Sequence, residues 1–214
     1  MCTASRCDDT IDGGGGNDTI NAGDGDDIIS AGMGSDVLNG NEGNDKIYLE
    51  ADGVWIKSLD NNGKTIIPQA WKINSFKTIL EKVSIVGKNK FEDTIDGNNG
   101  SDILELTSSS DAFFLHDTLS AFNSTLNLSN DAYGNKNIDR LLSLETINGG
   151  NGDDLIDLTS PNTQLSYSMT LNGGSGNDIL WASSGSDTIK GGEGNDNLYG
   201  GKGVDNLFGG KGAD

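Results

Sequence analysis

Aspartate returns at the sixth place of a nine-residue unit through most of this 214-residue chain: Asp18, Asp27, Asp36, Asp45, Asp102, Asp154, Asp178, Asp187, Asp196, Asp205 and Asp214. Glycine stands two places before each of them. Carboxylates at constant spacing are oxygen donors, and the chemistry open to them is the binding of a hard cation. Nitrogen and sulfur donors are scarce: His116 is the only histidine, and Cys2 and Cys7 both lie near the N-terminus. Neither a disulfide framework nor a cysteine-based zinc site can organise such a chain.

The composition leads the same way. Asp and Glu total 33 against 14 Lys and Arg, a net charge of -19, which repels nucleic acid and anionic lipid. With 32 Gly but only 2 Pro, collagen and proline-rich linkers are excluded. At 33% hydrophobic residues the core stays thin unless something neutralises the carboxylates, and a bound cation would do so. No stretch reaches the roughly 18 apolar residues of a spanning helix, so no membrane span is expected. Nor does the opening Met-Cys-Thr-Ala-Ser-Arg lead into an apolar signal segment, since it turns acidic by Asp8.

The elements that position these aspartates follow from the repeat itself. From Gly13 the chain reads GGGGNDTIN, AGDGDDIIS, AGMGSDVLN, GNEGNDKIY; from Gly173 it reads GGSGNDILW, ASSGSDTIK, GGEGNDNLY, GGKGVDNLF, GGKGAD. Shorter runs start at Lys88 (KNKFEDTID, GNNGSDILE) and at Arg140 (RLLSLETIN, GGNGDDLID). Eleven units keep Gly at the fourth place and Asp at the sixth, and six of those read GGxGxD in full. The first six residues of a unit make a turn, with glycine at places one, two and four supplying positive φ and close approach. Asn17, Asn44, Asn177 and Asn195 at place five tolerate left-handed geometry. The last three place one aliphatic side chain inward, as in a short strand with one buried face. Ile20, Ile29, Leu38, Ile47, Ile95, Leu104, Ile156, Leu180, Ile189, Leu198 and Leu207 form that row. A glycine-rich linker with a solvated acidic face is the alternative, but it gives no reason for an aliphatic residue two places after every Asp.

The unit resembles the GGxGxDxUx nonapeptide of the RTX family, a calcium-binding repeat. The resemblance implies an all-β chain folded as a right-handed parallel β-roll (β-solenoid), here interrupted by inserted hairpin and short-helix segments. It implies that nine residues make half a coil, so that Asp18 stacks on Asp36, Asp27 on Asp45, Asp178 on Asp196 and Asp214, and Asp187 on Asp205. Several Ca2+ ions are the cofactors it implies. Carboxylate and carbonyl oxygens suit an ion taking about six to eight oxygen ligands better than zinc or magnesium. Carried over, the metal ligands are the eleven aspartates named at the outset, with the carbonyls of Gly14, Gly16, Gly23, Gly25, Gly34, Gly43, Gly174, Gly176, Gly192, Gly194, Gly201 and Gly203. Asp9, Asp93 and Glu145 lack the preceding glycine, which leaves the completeness of their turns in question.

The spacings between blocks, 48 residues from Gly40 to Lys88, 43 from Gly97 to Arg140 and 24 from Gly149 to Gly173, are not multiples of nine and mark insertions. The expected organisation is a β-roll block over 4–48, an insertion of hairpins over 49–87, and a short roll segment over 88–105. A second insertion with a short helix (106–139), a roll segment (140–157), a connector (158–172) and a final block (173–214) follow. Leu115, Leu119, Phe122 and Leu126 space like a helix face, with Ser110 or Asp111 as its cap. Eight of the 14 basic residues lie between Lys46 and Lys90, placing that stretch against an acidic face of the roll or an anionic ligand. Trp55, Trp71 and Trp181 stack on sugars or plug the core. Threonine at Thr10, Thr19, Thr94 and Thr188 forms no regular ladder, which argues against ice binding.

No H-E-x-x-H, nucleophile elbow or phosphate loop occurs, and a non-catalytic chain is expected. The resemblance implies a calcium-binding module of a larger secreted, type I exported protein that folds on meeting calcium outside the cell. Its setting is extracellular or at the cell surface. An adhesin meeting a surface glycan or other cell-surface ligand through the insertions is one reading; the tail of an exported protease or lipase is the other. The final repeat lacks a polar capping unit, as a fragment would.

Overall fold

The computed structural model describes residues 7–34, 36–49, 53–56, 84–86, 93–115, 141–159 and 165–214. Its strands in chain order are β1 (Thr10–Asp12), β2 (Thr19–Asp24), β3 (Ile28–Ser30), β4 (Val37–Glu42), β5 (Lys46–Tyr48), β6 (Gly53–Ile56) and β7 (Ser84–Val86). There follow β8 (Thr94–Asn99), β9 (Ile103–Glu105), β10 (Asp111–Phe114), β11 (Leu141–Leu142), β12 (Thr146–Asn151) and β13 (Leu155–Asp157). The last are β14 (Thr170–Ser175), β15 (Ile179–Trp181), β16 (Thr188–Glu193), β17 (Asn197–Tyr199) and β18 (Asn206–Lys211). Among the described residues there is no helix, and so none long and apolar enough to cross a membrane.

Successive strands alternate between two faces and wind a parallel β-roll. One face is an eight-stranded sheet, β1-β3-β5-β9-β12-β14-β16-β18. The other is divided into a four-stranded sheet, β2-β4-β8-β11, and a six-stranded one, β17-β15-β13-β10-β6-β7. Place eight of each unit points inward, so Ile29, Leu38, Ile47, Leu104, Ile156, Leu180 and Ile189 are wholly buried in one continuous core. Ile20 and Ile95 join them, Leu198 is partly buried, and Leu207 on β18 is 46% exposed.

Regular coils advance by 18 residues, as in the register Thr10↔Ile28 and Thr170↔Thr188. The irregular spacings are coils of the same kind carrying extra chain: Asp36 stacks under Asp93 at a separation of 57, Asp111 under Asp154 at 43, and Asp154 under Asp178 at 24. Two of those coils were hidden in the segments expected to be insertion and connector. Residues 106–114, LTSSSDAFF, form a full unit with Asp111 at place six and Phe113 buried at place eight. Residues 165–172, LSYSMTLN, put Met169 at place six, where its N–H donates to Asp187 Oδ1 at 2.8 Å, and Leu171 at place eight. Asp111 is therefore the first residue of a strand and not a helix cap; Ala112 and Phe113 pair with Leu155 and Ile156. Leu115 is buried, while Leu119, Phe122 and Leu126 lie outside the described residues.

Chain order and spatial order part company at this place. β10 precedes β11 in sequence, yet β11 pairs with β8 and β10 pairs with β13. The chain runs ahead, then returns, and the second face forks. The free edge of β10 is covered by β6, which pairs with it antiparallel and pairs antiparallel in turn with β7.

Glycine at places two and four lies in the left-handed region, as expected, with the exception of Gly185, and Gly43 shows why it is needed. Its φ is 140°, and a Cβ there would collide with the carbonyl oxygen of Gly25 in the coil below. Gly43→Ala is expected to cost about 2 kcal/mol in a urea titration, combining left-handed strain with that collision. Glycine at place one behaves differently from expectation: Gly40, Gly97 and Gly149 do not take positive φ, and closeness alone demands them.

Candidate metal centre

The turns line up along the two edges of the roll, and place six is where they lock together. On one edge the N–H of Asp9 donates to Asp27 Oδ1 (2.7 Å), Asp27 to Asp45 Oδ1 (2.9 Å), Asp45 to Asp102 Oδ1 (2.7 Å) and Asp102 to Glu145 Oε2 (2.8 Å). After Met169, Asp187 donates to Asp205 Oδ1 (3.0 Å). On the other edge Asp18 donates to Asp36 Oδ1 (2.9 Å) and Asp36 to Asp93 Oδ1 (2.7 Å). Beyond the fork come Asp111 to Asp154 (2.8 Å), Asp154 to Asp178 (2.8 Å), Asp178 to Asp196 (2.9 Å) and Asp196 to Asp214 (3.0 Å). Asp9, Asp93 and Glu145 thus take their places in the ladders without the preceding glycine. Ser143 supplies the left-handed turn before Glu145, at φ 48°.

Most of these carboxylates are removed from water: Asp27, Asp36, Asp45, Asp102, Asp154, Asp178, Asp187 and Asp196 are buried, while Asp18 and Asp205 are half-buried and Asp214 is exposed. In all of them but Asp18, one oxygen is occupied by the N–H of a neighbouring coil. The other, Oδ2, is buried and accepts no hydrogen bond in Asp18, Asp27, Asp36, Asp45, Asp102, Asp154 and Asp187. A buried carboxylate oxygen without a donor is costly, and it calls for a cation.

The surroundings of Asp154 show what such a cation would meet. A Cβ placed on Gly149 would stand 2.5 Å from Asp154 Oδ2 and 2.7 Å from the carbonyl oxygen of Gly173 in the next coil. Glycine at place one therefore opens a cradle into which a carboxylate oxygen and a main-chain carbonyl oxygen both face. Gly40 does the same for Asp45 Oδ2 and Gly97 O, and Gly97 for Asp102 Oδ2 and Ser143 O. Among the described residues no three acidic, histidine or cysteine side chains gather at one point. An ion held here draws the balance of its ligands from main-chain carbonyls, which suits calcium and not zinc.

The electrostatics agree. Burial raises the pKa of Asp102 to about 6 and that of Asp154 to about 8, against the pull of the N–H each accepts. Burial likewise raises Asp27, Asp45 and Asp187, and carboxylates in adjacent coils add to it. Asp111 is raised by burial too, while hydrogen bonds from Thr107 hold it back.

A second ladder at place five was not anticipated from the sequence. Asn44, Asn177 and Asn195 are not left-handed; the non-glycine residues that are, Asn41, Asn98 and Ser143, occupy places two and four. The place-five side chains instead accept from the coil above. Asn44 N–H donates to Asp26 Oδ1 (2.8 Å), Ser101 to Asn44 Oδ1 (3.0 Å), Asn177 to Asp153 Oδ1 (2.6 Å) and Asn195 to Asn177 Oδ1 (3.0 Å). This ladder runs opposite to that of place six, where each N–H donates to the coil ahead. Asn177→Ala removes one acceptor and is expected to cost about 1 kcal/mol by urea denaturation.

Outside the edges, Lys46 Nζ lies 2.8 Å from Glu105 Oε1 on the outer face of the eight-stranded sheet. The other basic residues between Lys46 and Lys90 lie outside the described residues. Trp181 is buried and meets Tyr199 edge-on at 4.9 Å, the plug arrangement. Thr146, Thr170 and Thr188 stand in register on adjacent strands, a short row that the sequence alone did not reveal.

A family model described as the RTX calcium-binding nonapeptide repeat (4 copies) matches residues 8–38, 30–52, 89–112, 145–159, 170–198 and 181–214. No curated protein matches the chain.

Proposed function

Since the chain belongs to the RTX calcium-binding nonapeptide-repeat family, we propose that it is a β-roll module, part of a larger exported protein, whose turns close on calcium ions outside the cell. One observation carries the reading: at coil after coil a buried Asp Oδ2 without a hydrogen-bond donor faces a carbonyl oxygen across a glycine cradle. The ligands we assign are Asp18, Asp27, Asp36, Asp45, Asp102, Asp154, Asp178, Asp187, Asp196, Asp205 and Asp214. They act with carbonyls of the glycine turns, among them Gly14, Gly16, Gly23, Gly25, Gly34, Gly43, Gly174, Gly176, Gly192, Gly194, Gly201 and Gly203. Calcium supplies the positive charge and the flexible oxygen coordination that these groups lack among themselves.

The chain's own part is to position oxygens. Each place-six N–H orients the carboxylate of the coil ahead, and the left-handed glycines turn successive carbonyls to the same edge. With no ion present, stacked carboxylates at the strand spacing of about 4.8 Å repel one another, and buried ones resist ionisation. The chain is then loosened and fit for export, and calcium outside the cell drives it into the roll.

We read the module as non-catalytic and adhesive. Support for adhesion is the placement of the long inserted segments, between β5 and β8 and between β10 and β11, each of which rejoins the roll at a strand of its second face. A surface glycan or another cell-surface ligand is the partner we assign to them. Glycan-array binding that disappears in Trp55→Ala or Trp71→Ala is the expected result.

Circular dichroism during calcium titration at neutral pH tests the calcium reading, with magnesium as the control ion. Calcium is expected to raise the β signal steeply and magnesium weakly. Equal β signal in calcium and in chelator would overturn it.

A further inference from the structure

The place-six carboxylates do not run unbroken from end to end. On one edge the series Asp27, Asp45, Asp102 passes through Glu145 to Met169, which is buried and has no carboxylate, before Asp187 and Asp205 resume it. On the other edge Asp18, Asp36 and Asp93 belong to the four-stranded sheet, and Asp154, Asp178, Asp196 and Asp214 to the six-stranded one. Among the described residues Asp111 stands between them, and its needs are met without metal. Thr107 N–H donates to Asp111 Oδ2 at 2.8 Å, and Thr107 Oγ1 lies 2.9 Å from both carboxylate oxygens.

Among the described residues the glycine cradles are missing from the turns at 106–110, 141–145 and 165–169, while Gly149 keeps its cradle at Asp154. Leu106, Leu144 and Leu165 stand at turn places, and with Leu115, Leu141, Leu158 and Met169 they are buried in the core cluster. Those coils close by apolar burial, about 1.5 to 3 kcal/mol for each large side chain, where the outer coils depend on charge neutralisation. In a stack where each coil touches only its neighbours, coupling between ion sites passes through shared ligands and ends where the ligands end.

We infer that an apolar joint that holds its fold without metal, built from residues 106–115, 141–147, 155–159 and 165–171, divides the roll into two calcium units that fill and fold independently. This rests on the calcium reading above and names how its sites are grouped.

Hydrogen-exchange mass spectrometry on the full chain across a calcium titration tests it. In chelator, the joint's amides are expected to remain protected while residues 8–48 and 173–214 exchange freely. Asp45→Asn, which keeps an acceptor oxygen but removes the charge, is expected to raise the calcium midpoint of residues 8–48 by about tenfold or more and leave that of 173–214 within about twofold. Asp196→Asn is expected to do the reverse. Met169→Asp restores a carboxylate at the break, and the joint is then expected to lose protection in chelator while the two midpoints move together in calcium. A single shared midpoint, shifted equally by Asp45→Asn and Asp196→Asn, overturns the division and leaves the calcium reading standing; absence of calcium uptake overturns both.

Discussion

Acidification is expected to stabilise the metal-free chain and to destabilise the calcium-loaded one. The carboxyls of Asp102 and Asp154 have pKa values of about 6 and about 8 in the folded chain against 3.8 when unperturbed. Between 3.8 and these values the folded chain binds more protons than the unfolded one, so stability falls as pH rises. The contribution is complete below 3.8 and is lost as pH passes through about 6 for Asp102 and about 8 for Asp154. Calcium reverses the slope, because it requires the carboxylates bare and protons compete for the same oxygens. Urea midpoints at pH 5, 6.5 and 8, in calcium-depleted buffer and in excess calcium, should therefore give two lines that cross. A metal-free midpoint that rises with pH would contradict the placement of these carboxylates. Asp154→Asn separates the site from the general repulsion of a chain of net charge -19. It is expected to raise the metal-free midpoint at pH 8, flatten its slope between pH 6.5 and 8, and lower the midpoint in calcium.

Phe113→Ala is expected to cost about 3–5 kcal/mol, the usual range for deleting a buried aromatic side chain. Phe113 is 0% exposed, at the inward place of β10, and the strand pairs with β13 on one side and β6 on the other. Collapse of neighbours into the gap is limited because the flanking strands are held by their pairing, β13 parallel and β6 antiparallel. Urea denaturation of the calcium-loaded chain measures the loss. A change below about 1 kcal/mol would place the ring outside the core.

The regular coils were legible because place eight and place six each have one physical requirement: an aliphatic residue inside and an oxygen donor at the edge. Asp18, Asp36, Asp178 and Asp196 announce themselves by period alone. Asp111 did not, although Phe113 follows it two places later like any other unit, because Ser109 replaces the place-four glycine and 43 residues separate it from its partner Asp154. Met169 was harder still. Its unit keeps the main-chain donor and the inward Leu171 but no residue of the metal pattern, so only the pairing with Asp187 exposes it. The place-five ladder escaped for another reason: Asn, Asp and Ser all accept an N–H equally well, so the position carries a function without carrying a letter.

The forked second face bears on what tension does to the molecule. A stack of like coils pulled from one end sheds them in turn, each freeing 18 residues, about 60 Å of contour. Where equivalent coils lie 24, 43 and 57 residues apart, each release is longer, reaching about 190 Å for the last. Because β10 is clamped between β13 and the β6–β7 hairpin while β11 belongs to the other half, the long lengths stay stored at mid-molecule until the outer coils have gone. A tether so built would yield in short steps first and keep its greatest reach in reserve.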